Sequence, residues 1–441
     1  DEDSAERVDD TDSDGFKEGV YYFGGEDDGA MTTGWLQLDI TYDEATNDDY
    51  KYTAAAFNDD EDQTRWFYFK SNGKKIYAED GDRTKDKTIN GKKYAFDQYG
   101  AMVAEWSLDE GDLGTSPNAF TSNVASSAEV VTGKAFDSKY TESWKYFNSV
   151  EDGARVSKGW FKVVPAEYLN EDKYNDDEDF WYYADGSGNL YAGEFKTIKG
   201  KKYAFRDDGR MLNGLKFIKE DADNQSLSVY ADDDGTYNFD NEDDFLDHAA
   251  EFYEPNGYKC FYFGDGDDGA MRTNKTSVAI DGDNYNFYFE KSGGNKGAGV
   301  TGEKDDKYYQ NGKLVRAGSD EKYQVVQHID DVANDKVGYD KLDDAAEVVA
   351  ALTAHADYDV DTTVSQANLD ALGVNKKLED IQELAVFTRK ADGKVGTKVA
   401  DFFLVNTSGK VIDSKSKNKD GNDYNFVVAK GGSILGYYVE D

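Results

Sequence analysis

The segment TINGKKYAFDQYGAM at 88–102 returns as TIKGKKYAFRDDGRM at 197–211, identical at ten of fifteen positions. A chain that repeats itself in this way is read first as an array of small units, each burying its apolar face against the next, and only then as one large core. Tyr94, Ala95 and Phe96 alternate as in a strand, a polar turn closes on Gly100, and Met102 lies on the return. The pattern predicts a β-hairpin with an aromatic face.

The same ruler finds more copies. VYYFGGEDDGAM at 20–31 places Asp28, Gly29, Ala30 and Met31 five to eight residues after Phe23, and the frame recurs after Phe147 and Phe263. A second hairpin follows each: WFYFKSNGKKIY at 66, WYYADGSGNLY at 181 and NFYFEKSGGNKGAGV at 286. The third is the opening segment, its echo at 197 and a worn copy, KYYQNGKL, at 307. Phe387 with Asp392 and Gly393, then DFFLVNTSGKVI and YNFVVAKGGSIL, read as a fourth set.

The expected fold is mainly β, an elongated β-hairpin repeat or solenoid of about four hairpin triplets. An acidic segment (1–19) precedes triplet one (20–106), insert 107–143, triplet two (144–215), acidic insert 216–257 and triplet three (258–316). A small α-helical insert (317–384) and triplet four (385–441) complete the order. Within that insert DDAAEVVAALTAHA carries an apolar helical stripe behind acids suited to a helix N-terminus, VSQANLDALG ends on a glycine stop, and KKLEDIQEL is amphipathic. FLDHAAEFY at 245–253 is a further helical candidate.

Charge narrows the partners. With 50 Lys plus Arg against 91 Asp plus Glu, net −41, the chain lacks the positive stripe that nucleic acid or an anionic membrane requires. No apolar run reaches bilayer length, so no insertion is expected. The lone Cys260 sits within CFYF and reads as a small buried residue. The opening DEDSAERVDD, without an initiator Met, fits a mature secreted protein.

The strings YYFGGEDDGAMTTGW (21–35), WFYFKSNGKKI (66–76), INGKKYAFDQYGAMVAEW (89–106), WKYFNSVEDGARVSKGW (144–160), WYYADGSGNL (181–190) and IKGKKYAFRDDGRMLNG (198–214) resemble the cell-wall-binding repeats, of choline-binding or glucan-binding type, of Gram-positive surface proteins. The resemblance implies a hairpin solenoid and a non-catalytic, secreted attachment role at the bacterial surface. It also implies aromatic cages for a cell-wall polysaccharide or choline-bearing polymer. The matching positions are Trp35, Trp66, Tyr68, Tyr94, Met102 and Trp106, then Trp160, Trp181, Tyr183, Tyr203 and Met211. Aromatic walls take a quaternary ammonium or the apolar face of a sugar. The same rings would serve equally as packing between hairpins.

Two further readings stay open. Hairpin arrays without an attached catalytic module also suit a homo-polymer, the subunit of a surface filament or layer joined through strand edges. Acidic loops, above all GDGDDG with Asp265, Asp267 and Asp268, and also DDDG (232–235), NDDED (175–179) and KNKDGND (417–423), offer oxygen ligands for Ca2+. Asp-Gly is equally what hairpin turns need. His248, His328 and His355 have no neighbouring nucleophile or ligand spacing, so no enzyme is expected.

Overall fold

Asn90 and Gly91 have φ of +50° and +83°, and Lys199 and Gly200 have +49° and +82°. Two successive positive values make the tight turn whose twist matches paired strands. Accordingly Lys85–Ile89 pairs with Lys92–Phe96, and Phe195–Ile198 with Lys201–Ala204. The hairpin in the duplicated segment therefore turns at its Asn-Gly or Lys-Gly, ahead of Tyr94, and not at Gly100 as the sequence suggests. The stretch from Phe96 to Met102 is a return loop, closed by a single bridge between those two residues.

The structure is a computed structural model and describes residues 19–24, 28–40, 63–79, 82, 84–97, 100–108, 141–166, 169–220, 227–230, 257–280, 282–331 and 336–441. The DDDG loop and the helical candidate at 245–253 lie outside them. The described chain is mainly β, with three short α-helices and many small antiparallel sheets. No helix among the described residues is long and apolar enough to cross a membrane. The chain divides into two units, residues 1–212 with 222–227, and 213–221 with 228–441.

In the first unit each large insert lies inside a hairpin, between two strands that pair with each other. Gly34–Ile40 pairs with Gln63–Phe69, Glu105–Leu108 with Trp144–Phe147, and Gly159–Val163 with Phe180–Ala184. The insert expected at 107–143 between triplets one and two thus falls within a hairpin. A return loop follows each second strand in one recurring register: Ile76 N donates to Tyr68 O at 3.0 Å, Val103 N to Ala95 O at 2.9 Å, Val156 N to Tyr146 O at 2.8 Å and Leu212 N to Ala204 O at 2.9 Å. The return residue then bonds to the hairpin before it, as Met102 N does to Trp66 O at 2.7 Å, Arg155 N to Lys93 O at 2.8 Å and Met211 N to Trp181 O at 2.8 Å.

This register explains why a methionine or a long side chain recurs on the return. A Cβ added at Gly153 would overlap the Met102 thioether and lie 2.8 Å from its Cγ, and one at Gly73 would meet Met31 in the same way. These two turn glycines are seats for the return side chain of the preceding loop, and Gly297 is one for Met271. Gly153→Ala, with φ of +54°, is expected to cost about 1–3 kcal/mol through overpacking. In a double-mutant cycle by urea unfolding, Met102→Ala should recover part of that cost; strictly additive losses would refute the contact as its cause.

The second unit begins in the same manner. Leu215–Glu220 pairs with Lys259–Tyr262 around another insert, and Arg272 N returns to Tyr262 O at 2.7 Å. Cys260 stands opposite Phe217, 1% exposed, and burial pushes its thiol up. Five strands follow in the order Asn274–Ile280, Asp283–Phe289, Lys313–Leu314, Lys307–Gln310, Gly302–Lys304.

Past residue 317 the structure departs from the expected helical insert and final triplet. Tyr323–Asp331 is a nine-residue strand between Lys336–Leu342 and Phe402–Asn406. Tyr358–Asp361, Ile381–Arg389, Ile434–Glu440, Asn425–Val428 and Lys415–Lys419 form one five-stranded sheet. The expected helices do form at Ala345–Ala354, capped by the Asp344 carboxylate on Glu347 N, and at Gln366–Ala371, followed by Gly373 at φ +68°. KKLEDIQEL does not: only Leu378–Asp380 turns, as a 3-10 helix, and Ile381 opens a strand. Its apolar residues continue into Ala385, Val386 and Phe387, all buried. Pairing on both sides outweighs helical propensity there. Val325, Leu342, Val348, Leu352 and Phe387 share one core with Tyr358, Phe402 and Tyr437, so this end is built on mixed aliphatic and aromatic layers that cross the expected boundary at 384.

Candidate aromatic recesses

All six tryptophans fall into three pairs built alike. Trp35 stands on the first strand of its hairpin directly opposite Tyr68, with Trp66 two residues earlier on the partner strand. Trp160 stands in the same way opposite Tyr183, beside Trp181, and Trp106 opposite Tyr146, beside Trp144. The ring centroids of each Trp–Trp pair are 6.4 Å apart, nearly perpendicular, and the opposite tyrosine lies 5.0–5.1 Å from the central ring. Strand alternation puts position i and i+2 on one face, which is why a Trp-x-Tyr string completes the set.

The next hairpin adds the back wall. Tyr94 is 4.9 Å and Phe96 5.8 Å from Trp35; Tyr203 and Phe205 repeat those distances from Trp160. Ile76, Phe96 and Met102 are buried beneath the first recess, while Trp35, Trp66 and Tyr68 remain half-buried. Trp160 and Trp181 are half-buried as well, but Tyr183, unlike Tyr68, is buried, with Tyr191 stacked on it at 5.2 Å and 7°. Trp66 Nε1 donates to the exposed Glu151 carboxylate at 3.0 Å, which holds a negative charge at the rim of the first recess.

The third set is shut. Where Lys87 faces Tyr94 and Lys196 faces Tyr203 across their hairpins, Phe161 faces Tyr182. That phenylalanine stacks on Tyr146 at 4.9 Å and on Tyr182 at 5.6 Å. Trp106 Nε1 donates to Val164 O at 2.7 Å, and Ala166 and Leu169 join the cluster. Trp106 is left 7% and Trp144 2% exposed. The Tyr146 hydroxyl is pushed up to about 12, chiefly by burial and then by Glu105 and Asp179.

The structure thus brings Trp35, Trp66, Tyr68 and Tyr94 together, and Trp160, Trp181, Tyr183 and Tyr203 together. Trp106 does not join the first group as the sequence suggested; it centres the closed set. Met102 lies under the first recess and reaches onward to Gly153, and Met211 is half-buried on its return loop. Sequence reasoning passed over Trp144, Tyr146, Tyr182 and Phe161. The Trp-x-Tyr string, present at 66–68, 144–146 and 181–183, is the signal that would have found them.

The acidic loops are occupied by the protein itself. Tyr262 donates to Asp265 and Arg272 pairs with Asp268, so two of the three carboxylates of GDGDDG already have protein partners. Among the described residues no group of three or more His, Cys, Asp or Glu converges on a common point. In NDDED, Asp176 and Glu178 both bind Lys173, at 3.0 and 3.1 Å. In KNKDGND, Asp420 accepts from Asn422 N at 2.9 Å and Tyr424 N at 2.8 Å. Both bonds fall on Asp420 Oδ1, the usual way an Asp side chain closes a turn.

No protein-family model matches the chain, and no curated protein does. The solved structures it resembles include choline-binding proteins of Streptococcus pneumoniae. The modular autolysin LytC is 18% identical over 71% of this chain and 45% of its own, with a TM-score of 0.29. Choline binding protein F is 19% identical over 67% and 89%, with a TM-score of 0.23, and CbpJ is 17% identical over 70% and 86%, with a TM-score of 0.26. The chain spans less than half the length of the autolysin.

Proposed function

We propose that this is a non-catalytic attachment protein of the bacterial cell surface, which holds a choline-bearing polymer or glucan of the cell wall in the recesses at Trp35 and Trp160. The observation that carries the reading is that two tryptophan pairs of like geometry stay half-buried while a third, built from the same residue types, is packed shut. The closed set shows that such rings can be buried, and burying a large ring is worth a few kcal/mol. Rings left half-open in matching geometry are surfaces kept for a ligand.

Edge-on rings at 5–6 Å around one central indole suit a quaternary ammonium, each contributing about 0.5–2 kcal/mol. Glu151 at the first rim, and the net charge of −41 for both, favour a cation over an anion. Each recess is weak alone, and two on one chain gain by avidity on a polymer. Titrating choline against tryptophan fluorescence should give two sites, and Trp160→Ala should leave one and cut retention on purified cell walls at least tenfold. Dextran competing in place of choline would assign the recesses to the glucan. Absence of both the fluorescence response and retention on walls would overturn the proposal.

A further inference from the structure

The second unit holds a further copy of the recess geometry, built without tryptophan. Met31 lies on Gly73 and stands four residues before Trp35; Met271 lies on Gly297 and stands four residues before Lys275. Lys275 pairs directly opposite Tyr288, as Trp35 does with Tyr68 and Trp160 with Tyr183. The return bond recurs too: Val300 N donates to Tyr288 O at 3.1 Å, as Ile76 N does to Tyr68 O at 3.0 Å and Tyr191 N to Tyr183 O at 3.1 Å. Tyr309, third after the Asp305-Asp306 turn as Tyr94 is after Asn90-Gly91, takes the place of the tyrosine on the next hairpin. Its ring lies 5.7 Å from that of Tyr288, at 64°.

A lysine thus stands where the other copies have their central indole. Its ammonium lies 6.0 Å from the Tyr288 ring centroid, and those of Lys291 and Lys304 lie 5.7 and 5.4 Å from it. Asp305 binds Lys275 at 2.9 Å and Glu290 binds Lys304 at 3.2 Å, which orients both ammonium groups at this ring. Tyr288 is left 2% and Tyr309 3% exposed, as expected where lysine stems lie along aromatic faces. A quaternary ammonium arriving here would meet a ring already engaged by cations, with like charge beside it. Asp305 and Glu290 offset part of that charge, but they do not free the ring.

We propose that Lys275 is the residue that closes this copy to choline, its own ammonium standing in the ligand's place at Tyr288. The inference rests on the reading of the Trp35 and Trp160 recesses as cation sites. Asn286 stands two residues before Tyr288, as Trp66 does before Tyr68. Lys275→Trp with Asn286→Trp therefore restores both the central ring and the Trp-x-Tyr string, and should raise the choline sites in a fluorescence titration from two to three. Two sites in that variant would overturn the proposal. So would a third site after Asn286→Trp alone, since Lys275 would then be no barrier. A second measurement needs no choline. With the lysines of the whole chain carrying isotope-labelled dimethyl groups, the Lys275 methyl resonance, assigned by its loss in Lys275→Arg, should lie upfield of that of the exposed Lys377. Tyr288→Leu should move it back, because the shift comes from the ring current. A Lys275 resonance coincident with that of Lys377 would overturn the self-occupied ring. No choline response in the unaltered chain would count against the recesses alone, so the two failures are read separately.

Discussion

Gly436→Ala is expected to destabilise the second unit by about 3–5 kcal/mol, the sum of backbone strain and overpacking. Gly436 lies in Ile434–Glu440, the central strand of the five-stranded sheet, flanked by Ile381–Arg389 and Asn425–Val428. Its φ is +156°, and an added Cβ would overlap the Ala385 carbonyl oxygen and stand 2.9 Å from Leu372 Cδ2. A flexible side chain can swing aside, but a carbonyl held in a ladder moves only with its strand. Gly431→Ala is the matched control: its φ is +93°, with nothing within 4 Å of the added Cβ. That change should cost about 1–2 kcal/mol from the left-handed backbone alone. Guanidinium unfolding of the two variants decides the matter, and equal midpoints would refute the steric argument.

How much of this was legible in the sequence follows from which residues can be replaced. The return register could be read because its glycines need positive φ and its methionines need a glycine to lie on; Gly73 with Met31 and Gly153 with Met102 are therefore spelled alike. The position of the turn was misread because Asn90-Gly91 and the Gly100 loop are both good turn strings, and only pairing tells which one closes a hairpin. The contents of the recesses were half legible. Trp-x-Tyr marks a strand face, but the third set is shut from elsewhere, by Phe161 across the hairpin where 87 and 196 are lysine, and by Ala166 and Leu169. No single-strand pattern contains that pairing. At the C-terminal end, strands separated by more than seventy residues meet, such as Tyr323–Asp331 and Phe402–Asn406. A ruler built on local hairpins cannot see contacts of that range. The acidic loops look like ligand sets in one dimension, because the turn N–H groups bonded to Asp420 Oδ1 belong to the backbone and leave no mark in the residue types.

The tryptophans themselves supply the sharpest separation of roles. Trp106→Ala should lower stability by about 3–5 kcal/mol, as for other aromatic-to-alanine changes in a closed core, yet leave two choline sites. Its ring contacts Trp144, Tyr146, Phe161 and Tyr182 within 5.1–6.4 Å, and its N–H is already bonded to Val164 O. Removing it opens a void in a sealed cluster and takes nothing from either recess. Trp35→Ala should behave in the opposite sense. Its ring is half-buried, so less transfer free energy is lost, while the wall shared by Trp66, Tyr68 and Tyr94 loses its centre and one site disappears. Thermal melts and fluorescence titrations on the two variants give a two-by-two result. If Trp106→Ala removed a site, or if Trp35→Ala cost as much stability and kept both sites, the division into open and closed sets would not describe function. The contrast arises because the same three-residue geometry is used three times, and only around Trp106 do Phe161, Ala166 and Leu169 close over it.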